Sequence, residues 1–149
     1  MFLQGQIPSE RRIGAIRCLT RNDVPDALAQ EIDSFLAEGF HPSDIAIISL
    51  VSRTDRGALA GRDVLDGHAL VRADDPRINH EVIADSVYRF KGLQRPVVIL
   101  TALSLRGSEI DAIRRAKMNV AITRAQSFLR IIDTSDAISK EPELDVILN

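Results

Sequence analysis

The sequence has 149 residues, of which 45% are hydrophobic and 27% are charged, and its formal net charge is −2. This composition is that of an ordinary globular domain and excludes a strongly basic protein, so any nucleic-acid contact would depend on a local patch. Cys18 is the only cysteine, which excludes an internal disulfide framework and a metal site built from several thiolates.

The first predicted elements are a strand, a helix and a second strand. The apolar run 12–20 predicts the first strand, and 45–51, which is almost entirely apolar, is typical of a strand buried on both faces of a sheet. Between them, 22–39 predicts an amphipathic helix with Pro25 in its first turn and Gly39 at its end. Its apolar residues at helical spacing are Leu28, Ile32, Phe35 and Leu36.

The middle of the chain has weaker signals. Glycines in 53–67 argue against a helix there but leave a short one open. The segment 68–76 predicts a short strand followed by a loop, and 80–90 is extended in character. A further buried strand is predicted for 97–103.

The last part of the chain predicts a helix over 108–125, a strand over 128–133 and a short closing helix. Strands therefore alternate with helices, which predicts an α/β fold with a mostly parallel sheet and helices on both faces. No repeat and no linker marks a boundary, so residues 1–149 are predicted to form a single domain.

Common catalytic motifs are absent from the sequence. It contains no GxxxxGK[ST] phosphate loop, no GxGxxG fingerprint, no GxSxG elbow and no cluster with metal-ligand spacing, so no metal ligand is predicted. In "SVYRFKGLQRPVVIL", Arg89 and Lys91 lie where cations could meet a phosphate. On spacing alone, a tight connection with solvated cations explains this segment better.

Arg124 ends the predicted helix in "MNVAITRAQ". The helix dipole favours a cation there by roughly 0.3–1 kcal/mol, which is an adequate local explanation. Arg114, Arg115 and Lys117, earlier in the same helix, are interpreted as a solvated face.

Taken in order, these segments resemble the second RecA-like motor domain of superfamily 1 helicases related to UvrD and Rep. "SVYRFKGLQRPVVIL" is similar to motif V of that family, near 86–100, and "NVAITRAQSFLRII" is similar to motif VI, near 119–132. "DIAIISLVSRTD" is similar to motif IV. The resemblance extends over about 12–133 and implies a RecA-like fold.

The resemblance also implies roles in ATP hydrolysis. In this family the second domain presents arginines across a cleft to the γ-phosphate of ATP, which is bound with Mg²⁺ by a first domain. By its position in motif VI, Arg124 corresponds to the arginine finger, and Arg53 of motif IV to a second one. Lys91, Gly92 and Gln94 correspond to the ATP side of motif V, with Gln94 at a position where glutamate is usual.

For nucleic acid, the resemblance implies contacts from Ser86, Tyr88, Arg89 and Thr123 to single-stranded DNA or RNA. Tyr88 replaces the usual histidine, and its ring could stack on a base or pack against the protein. Asn119 stands where UvrD-type members often have tyrosine, which leaves the choice between DNA and RNA open.

The absence of nucleotide-binding motifs limits what the chain would do alone. It has no Walker A or Walker B motif, so we expect it to be inactive alone, as a fragment of a longer protein whose N-terminal RecA-like motor domain is its partner. The alternative is a degenerate RecA-like domain that serves as a regulatory or protein-interaction module without ATPase activity. The sequence has no transmembrane run and no signal-peptide pattern, which predicts a cytoplasmic protein without a membrane partner.

Overall fold

The computed structural model describes residues 12–50, 62–90, 92–103 and 111–148, and its framework is a seven-stranded sheet. The strands are β1 (Ile13–Cys18), β2 (Ile45–Ser49), β3 (Val64–Leu65), β4 (His68–Val71), β5 (Val82–Ser86), β6 (Arg95–Thr101) and β7 (Ala125–Thr134). Their order across the sheet is β1-β7-β6-β2-β5-β4-β3. All neighbouring strands are parallel except β3 and β4, which form an antiparallel hairpin.

Helices cover both faces of this sheet. They are α1 (Val24–Ala37), α2 (Asp111–Thr123), α3 (Ser135–Ser139) and α4 (Pro142–Leu148). In β2, Ile45 and Ile47 belong to the same core as α1, whereas Ala46 and Ile48 belong to the core that contains residues of α2, α3 and α4. Successive side chains of a strand point to opposite faces, so α1 lies on one face and the other helices lie on the opposite face. The predicted α/β fold is confirmed, and the arrangement is consistent with a RecA-like domain.

Helix α1 follows its sequence signals. Leu28, Ile32 and Phe35 are fully buried in the core, and Leu36 packs at its edge. Pro25 lies in the first turn, where a missing N–H breaks no helical hydrogen bond. Gly39 follows the helix with φ of +105°, a conformation that glycine adopts readily.

The centre of the sheet explains the apolar runs. Every residue of β2 is buried, and so is every residue of β6 from Val97 onwards. Pro96 lies in β6 at the register irregularity between Arg95 and Val97, where a sheet tolerates a residue without an N–H. Within the described ranges, no helix is long and apolar enough to cross a membrane.

The segment 62–71 corrects the sequence analysis. Instead of a short helix, Val64–Leu65 form a strand that pairs with His68 and Ala69 of β4. Asp66 and Gly67 connect the two strands with φ of +47° and +84°. Positive φ at both positions is the geometry of a tight hairpin turn for which Asp-Gly is a preferred pair. The rest of the region, 53–61, lies outside the described residues.

The predicted extended segment 80–90 is only partly a strand. Strand β5 ends at Ser86, and Val87–Phe90 form a 3₁₀ turn instead of continuing it. Val87 and Phe90 are buried in the core beneath α2, together with Met118 and Ala121 of that helix. Three residues per turn place these two side chains on the same side of the turn.

Candidate functional site

The connection from β5 to β6 carries the predicted motif V residues. Both strands run in the same direction with β2 between them, so the chain must return from the carboxyl end of β5 to the amino end of β6. The 3₁₀ turn makes this crossing on the face of α2, and Gly92 then adopts a φ of +83°. A Cβ atom at Gly92 would have nothing within 4 Å. Its backbone conformation therefore accounts for the glycine, and no close contact requires it.

The end of α2 holds Arg124 through the helix itself. The backbone N–H of Arg124 donates to the carbonyl of Ala121 at 3.2 Å, and its side-chain Nε donates to the carbonyl of Val120, also at 3.2 Å. The hydroxyl of Thr123 donates to the same Val120 carbonyl at 2.9 Å. These bonds satisfy carbonyls at the end of the helix and place the cation at the negative end of its dipole.

The guanidinium of Arg124 keeps further donors. It is half-buried, and of its five N–H groups only the one on Nε has a hydrogen-bond acceptor in the described part of the chain. One side of the group is thus held by α2, and the remaining N–H groups can bind an anion.

Motifs V and VI are joined directly by hydrogen bonds. The side-chain amide Nε2 of Gln94 donates to the carbonyl of Thr123 at 3.3 Å, and the backbone N–H of Arg95 donates to the carbonyl of Arg124 at 2.9 Å. Arg95 and Ala125 are also paired as the first residues of β6 and β7. The structure therefore brings Gln94, Thr123 and Arg124 together at the amino ends of β6 and β7. We call these three residues the amino-end group.

Ser86, Tyr88 and Arg89 lie elsewhere, at the carboxyl end of β5. Ser86 pairs with Ser49 of β2, and Ser49 pairs with Thr101 of β6. Since Thr101 is six residues beyond Arg95, Ser86 lies about 20 Å along the strands from the amino end of β6. We call Ser86, Tyr88 and Arg89 the carboxyl-end group. Thr123, which the resemblance associates with them, lies instead in the amino-end group.

Arg89 is held by acidic side chains. Its Nη1 donates to Oδ2 of Asp74 at 3.4 Å, and its Nε lies 3.7 Å from Oδ1 of Asp85. Asp85 is buried and also accepts the backbone N–H groups of Ala73 and Ser86. A phosphate that approached Arg89 would compete with two carboxylates.

Tyr88 has a partner that the sequence analysis missed. The ammonium nitrogen of Lys117 lies over the tyrosine ring, 4.7 Å from its centroid. Lys117 is only 9% exposed, so its interpretation as part of a solvated helix face is wrong, whereas Arg115 is exposed as expected. The cause is the 3₁₀ turn, which packs against α2 and covers the lysine, and the sequence carries no signal for that contact.

Two predicted site residues, Arg53 and Lys91, lie outside the described residues. Among the residues that are described, no group of three or more His, Cys, Asp or Glu side chains could hold a metal ion.

Comparison with known proteins finds one matching protein family for part of the chain. Residues 81–132, about a third of the chain, match the family model described as the UvrD-like helicase C-terminal domain. This range includes the whole connection from β5 to β6 that contains motif V, and all of motif VI. No curated protein matches the chain. The resemblance predicted from motifs V and VI is confirmed by this match, which extends over residues 81–132.

Proposed function

We propose that this chain is the second motor domain of an ATP-dependent superfamily 1 helicase, and that it acts with an N-terminal RecA-like motor domain of the same protein. The observation that supports the proposal most is the direct junction of the two motifs. Gln94 and Arg95 of motif V bond to the carbonyls of Thr123 and Arg124 in motif VI. A ligand that moves either segment would therefore move the other.

Arg124 would act as the arginine finger. A guanidinium is always charged and can donate two parallel hydrogen bonds to phosphate oxygens, so it stabilises the negative charge that develops during phosphoryl transfer. Its Nε is already bound to the carbonyl of Val120, which limits the rotation of the group before any ligand arrives. A cation that is held in position loses less entropy on binding a phosphate.

The described residues fit the phosphate of ATP, and among them no group of three or more His, Cys, Asp or Glu side chains could hold a metal ion. Arg124 offers N–H donors to a γ-phosphate, and the half-buried position of its side chain reduces competition from water. Carboxylates that bind Mg²⁺ do not cluster in the described ranges. We therefore propose that ATP and Mg²⁺ are bound jointly with the first motor domain, and we assign no Mg²⁺ ligand to this chain.

Single-stranded DNA or RNA would contact the carboxyl-end group. Tyr88 is 65% exposed and can stack on a base. Arg89 can bind a phosphate that displaces the carboxylate of Asp74 from its Nη1. Ser86 is almost fully buried. Its hydroxyl would contact a phosphate only through the small part of the residue that is exposed at the carboxyl end of β5. Nucleotide and nucleic acid would then bind at opposite ends of the same strands.

The test is replacement of Arg124 in the helicase that contains this chain together with its first motor domain. We expect Arg124→Ala to lower the ATP turnover number by about 10³-fold or more while ATP still binds. Arg124→Lys should recover little of the rate, because lysine keeps the charge but cannot donate the paired hydrogen bonds. Turnover would be measured by phosphate release and ATP affinity by equilibrium binding.

A matched control is Arg115→Ala, which removes an exposed arginine from the same helix and should leave turnover close to wild type. If Arg124→Ala turned over ATP like this control, the arginine-finger proposal would be wrong. The alternative of a regulatory or protein-interaction module would then be favoured.

A further inference from the structure

The aromatic ring of Tyr88 is exposed at the surface, and the ammonium group of Lys117 lies beneath it. The ring is 65% exposed, and it is one of the few large hydrophobic side chains at the surface of the described residues. The ammonium of Lys117 lies over one face of the ring, 4.7 Å from the centroid, and Lys117 itself is 9% exposed. One face of the tyrosine is therefore occupied, and the exposure belongs mainly to the rest of the ring.

We propose that Lys117 is a positioning residue that holds Tyr88 as a stacking platform for one base of a single-stranded nucleic acid. This inference rests on the proposed helicase function and names a residue that motif V does not contain. The base would stack on the open face of the ring, so that the tyrosine lies between the base and the ammonium.

The fixed position of the ring is what makes it a platform. Val87 and Phe90, on either side of it in the 3₁₀ turn, are buried in the core, which anchors the backbone of the turn. Lys117 holds the side chain from below through the attraction of a cation for the electron-rich face of an aromatic ring. An aromatic side chain that is already ordered loses little conformational entropy when a base stacks on it.

The position of Lys117 also connects the platform to Arg124. The two residues are seven positions apart in sequence, which is about two turns of helix and about 10 Å along its axis. Lys117 lies in the middle of α2, and Arg124 directly follows the last residue of the same helix. A base that presses on Tyr88 would act on the helix that orients the proposed arginine finger.

The chain allows a direct spectroscopic test, because it contains one tyrosine and no tryptophan. Its tyrosine fluorescence therefore reports on Tyr88 alone. The chain would be titrated with unlabelled oligothymidylate, and in parallel with an oligouridylate of the same length, while tyrosine emission is recorded. Binding would be measured independently by fluorescence anisotropy of a dye-labelled oligonucleotide.

We expect the oligonucleotide to quench the tyrosine emission along the same binding curve that the anisotropy gives. Tyr88→Leu should weaken binding by at least about fivefold, and Lys117→Met by about two- to fivefold. Lys117→Arg should restore most of the affinity, because a guanidinium also binds an aromatic face. The salt dependence of binding should be the same for Lys117→Met and wild type, because the ammonium faces the ring instead of a phosphate.

Lys140→Met is the control, since Lys140 is an exposed lysine of the α3 region with an ion pair to Asp136, and its loss should change neither signal.

Unquenched tyrosine emission during binding, with Lys117→Met binding like Lys140→Met, would overturn the inference and leave the helicase proposal standing. A salt slope lowered by about one unit in Lys117→Met would show a phosphate contact and also overturn it. If neither oligonucleotide bound, the proposed nucleic-acid contact would fail as well. Should Lys117→Met not fold, Tyr88→Leu, which alters an exposed side chain, still decides whether the ring is a platform.

Discussion

At the scale of single residues, Cys18 shows how the fold controls the chemistry of one side chain. It lies at the end of β1 and is fully buried. Burial raises the pKa of its thiol to about 11, and the negative charges of Asp23 and Asp133 add to the effect. Only the thiolate is a good nucleophile, so almost none of the reactive form is present at neutral pH.

We therefore predict that Cys18 reacts very slowly with a thiol-specific reagent while the protein is folded. Because the chain has a single cysteine, the labelling rate reports on one site only. The rate at neutral pH should rise steeply with denaturant and should parallel the unfolding transition measured by circular dichroism. Rapid stoichiometric labelling of the native protein would contradict the burial of Cys18.

Gln94 shows which site contacts a sequence can predict and which it cannot. The resemblance places it on the ATP side of motif V, where glutamate is usual, and the structure places it beside Arg124. Its contact is a hydrogen bond donated to the carbonyl of Thr123, which a glutamate carboxylate could not donate. The motif was enough to predict that Gln94 belongs to the same site as Arg124. Its hydrogen bond to Thr123 was not predictable, because it depends on the register of β6 against β7, which no local sequence pattern specifies.

At the scale of elements, the junction of α1 and β7 is built around a buried arginine. Arg130 is 1% exposed, and its guanidinium lies 5.3 Å from the ring of Phe35 and 5.6 Å from that of Phe128. Its Nη1 donates to the carbonyl of Arg12 at 3.2 Å. The sequence predicted the strand from its apolar run, but it could not predict the burial of this charge, because the ring that covers it comes from α1.

Glu31 of α1 lies beside Arg130 as an acidic neighbour. Its Oε1 lies 3.7 Å from Nε of Arg130, beyond hydrogen-bond distance, so the attraction between them is electrostatic. Burial raises the pKa of Glu31, and this effect outweighs the opposing attraction of Arg130. Burying the two charges together therefore costs free energy, although the attraction between them offsets part of that cost.

We predict that Glu31→Ala lowers the free energy of unfolding by about 3 kcal/mol, because it removes a carboxylate from beside the buried charge of Arg130. The double variant Glu31→Leu with Arg130→Met should lie close to wild type, since it replaces both charges by apolar groups of similar size. Urea denaturation of the single and double variants would measure the difference. The cycle also needs Glu31→Leu and Arg130→Met as single variants, and a double variant as unstable as the sum of these two changes would show that the two charges do not interact.

At the scale of the whole molecule, the parallel sheet separates the predicted site into two ends. Alternation of strands and helices was enough to predict the fold, because buried strands and amphipathic helices leave distinct patterns in the sequence. Strand order was not predictable from these patterns. That order, with β2 between β5 and β6, places Ser86 at one end of the sheet and Gln94 at the other.

The carboxyl end of the sheet is held together by a buried aspartate. Oδ2 of Asp133, in β7, accepts the backbone N–H of Leu103 at 2.8 Å, just beyond the end of β6, and its Oδ1 accepts that of Thr134 at 2.7 Å. Burial raises the pKa of Asp133 above its ordinary value of 3.8, although these hydrogen bonds and the charge of Arg21 oppose the shift. The folded state therefore holds a proton on this group at pH values where the unfolded chain has released it.

From this shift we predict a pH dependence of global stability with a definite sign. Because the folded state binds more protons, the contribution of Asp133 to stability is largest below pH 3.8 and declines as the pH rises through its raised pKa.

The variant Asp133→Asn cannot titrate at this position. The unfolding free energy of wild type minus that of Asp133→Asn should therefore fall as the pH rises through that range. Urea denaturation at a series of pH values would measure it, and subtracting the variant removes the contributions of other groups, including Glu31, whose pKa is also raised. Asp136→Asn, which changes an exposed aspartate of α3, is the control for the removal of a carboxylate. A difference between wild type and Asp133→Asn that is constant, or that grows with pH, would contradict the raised pKa.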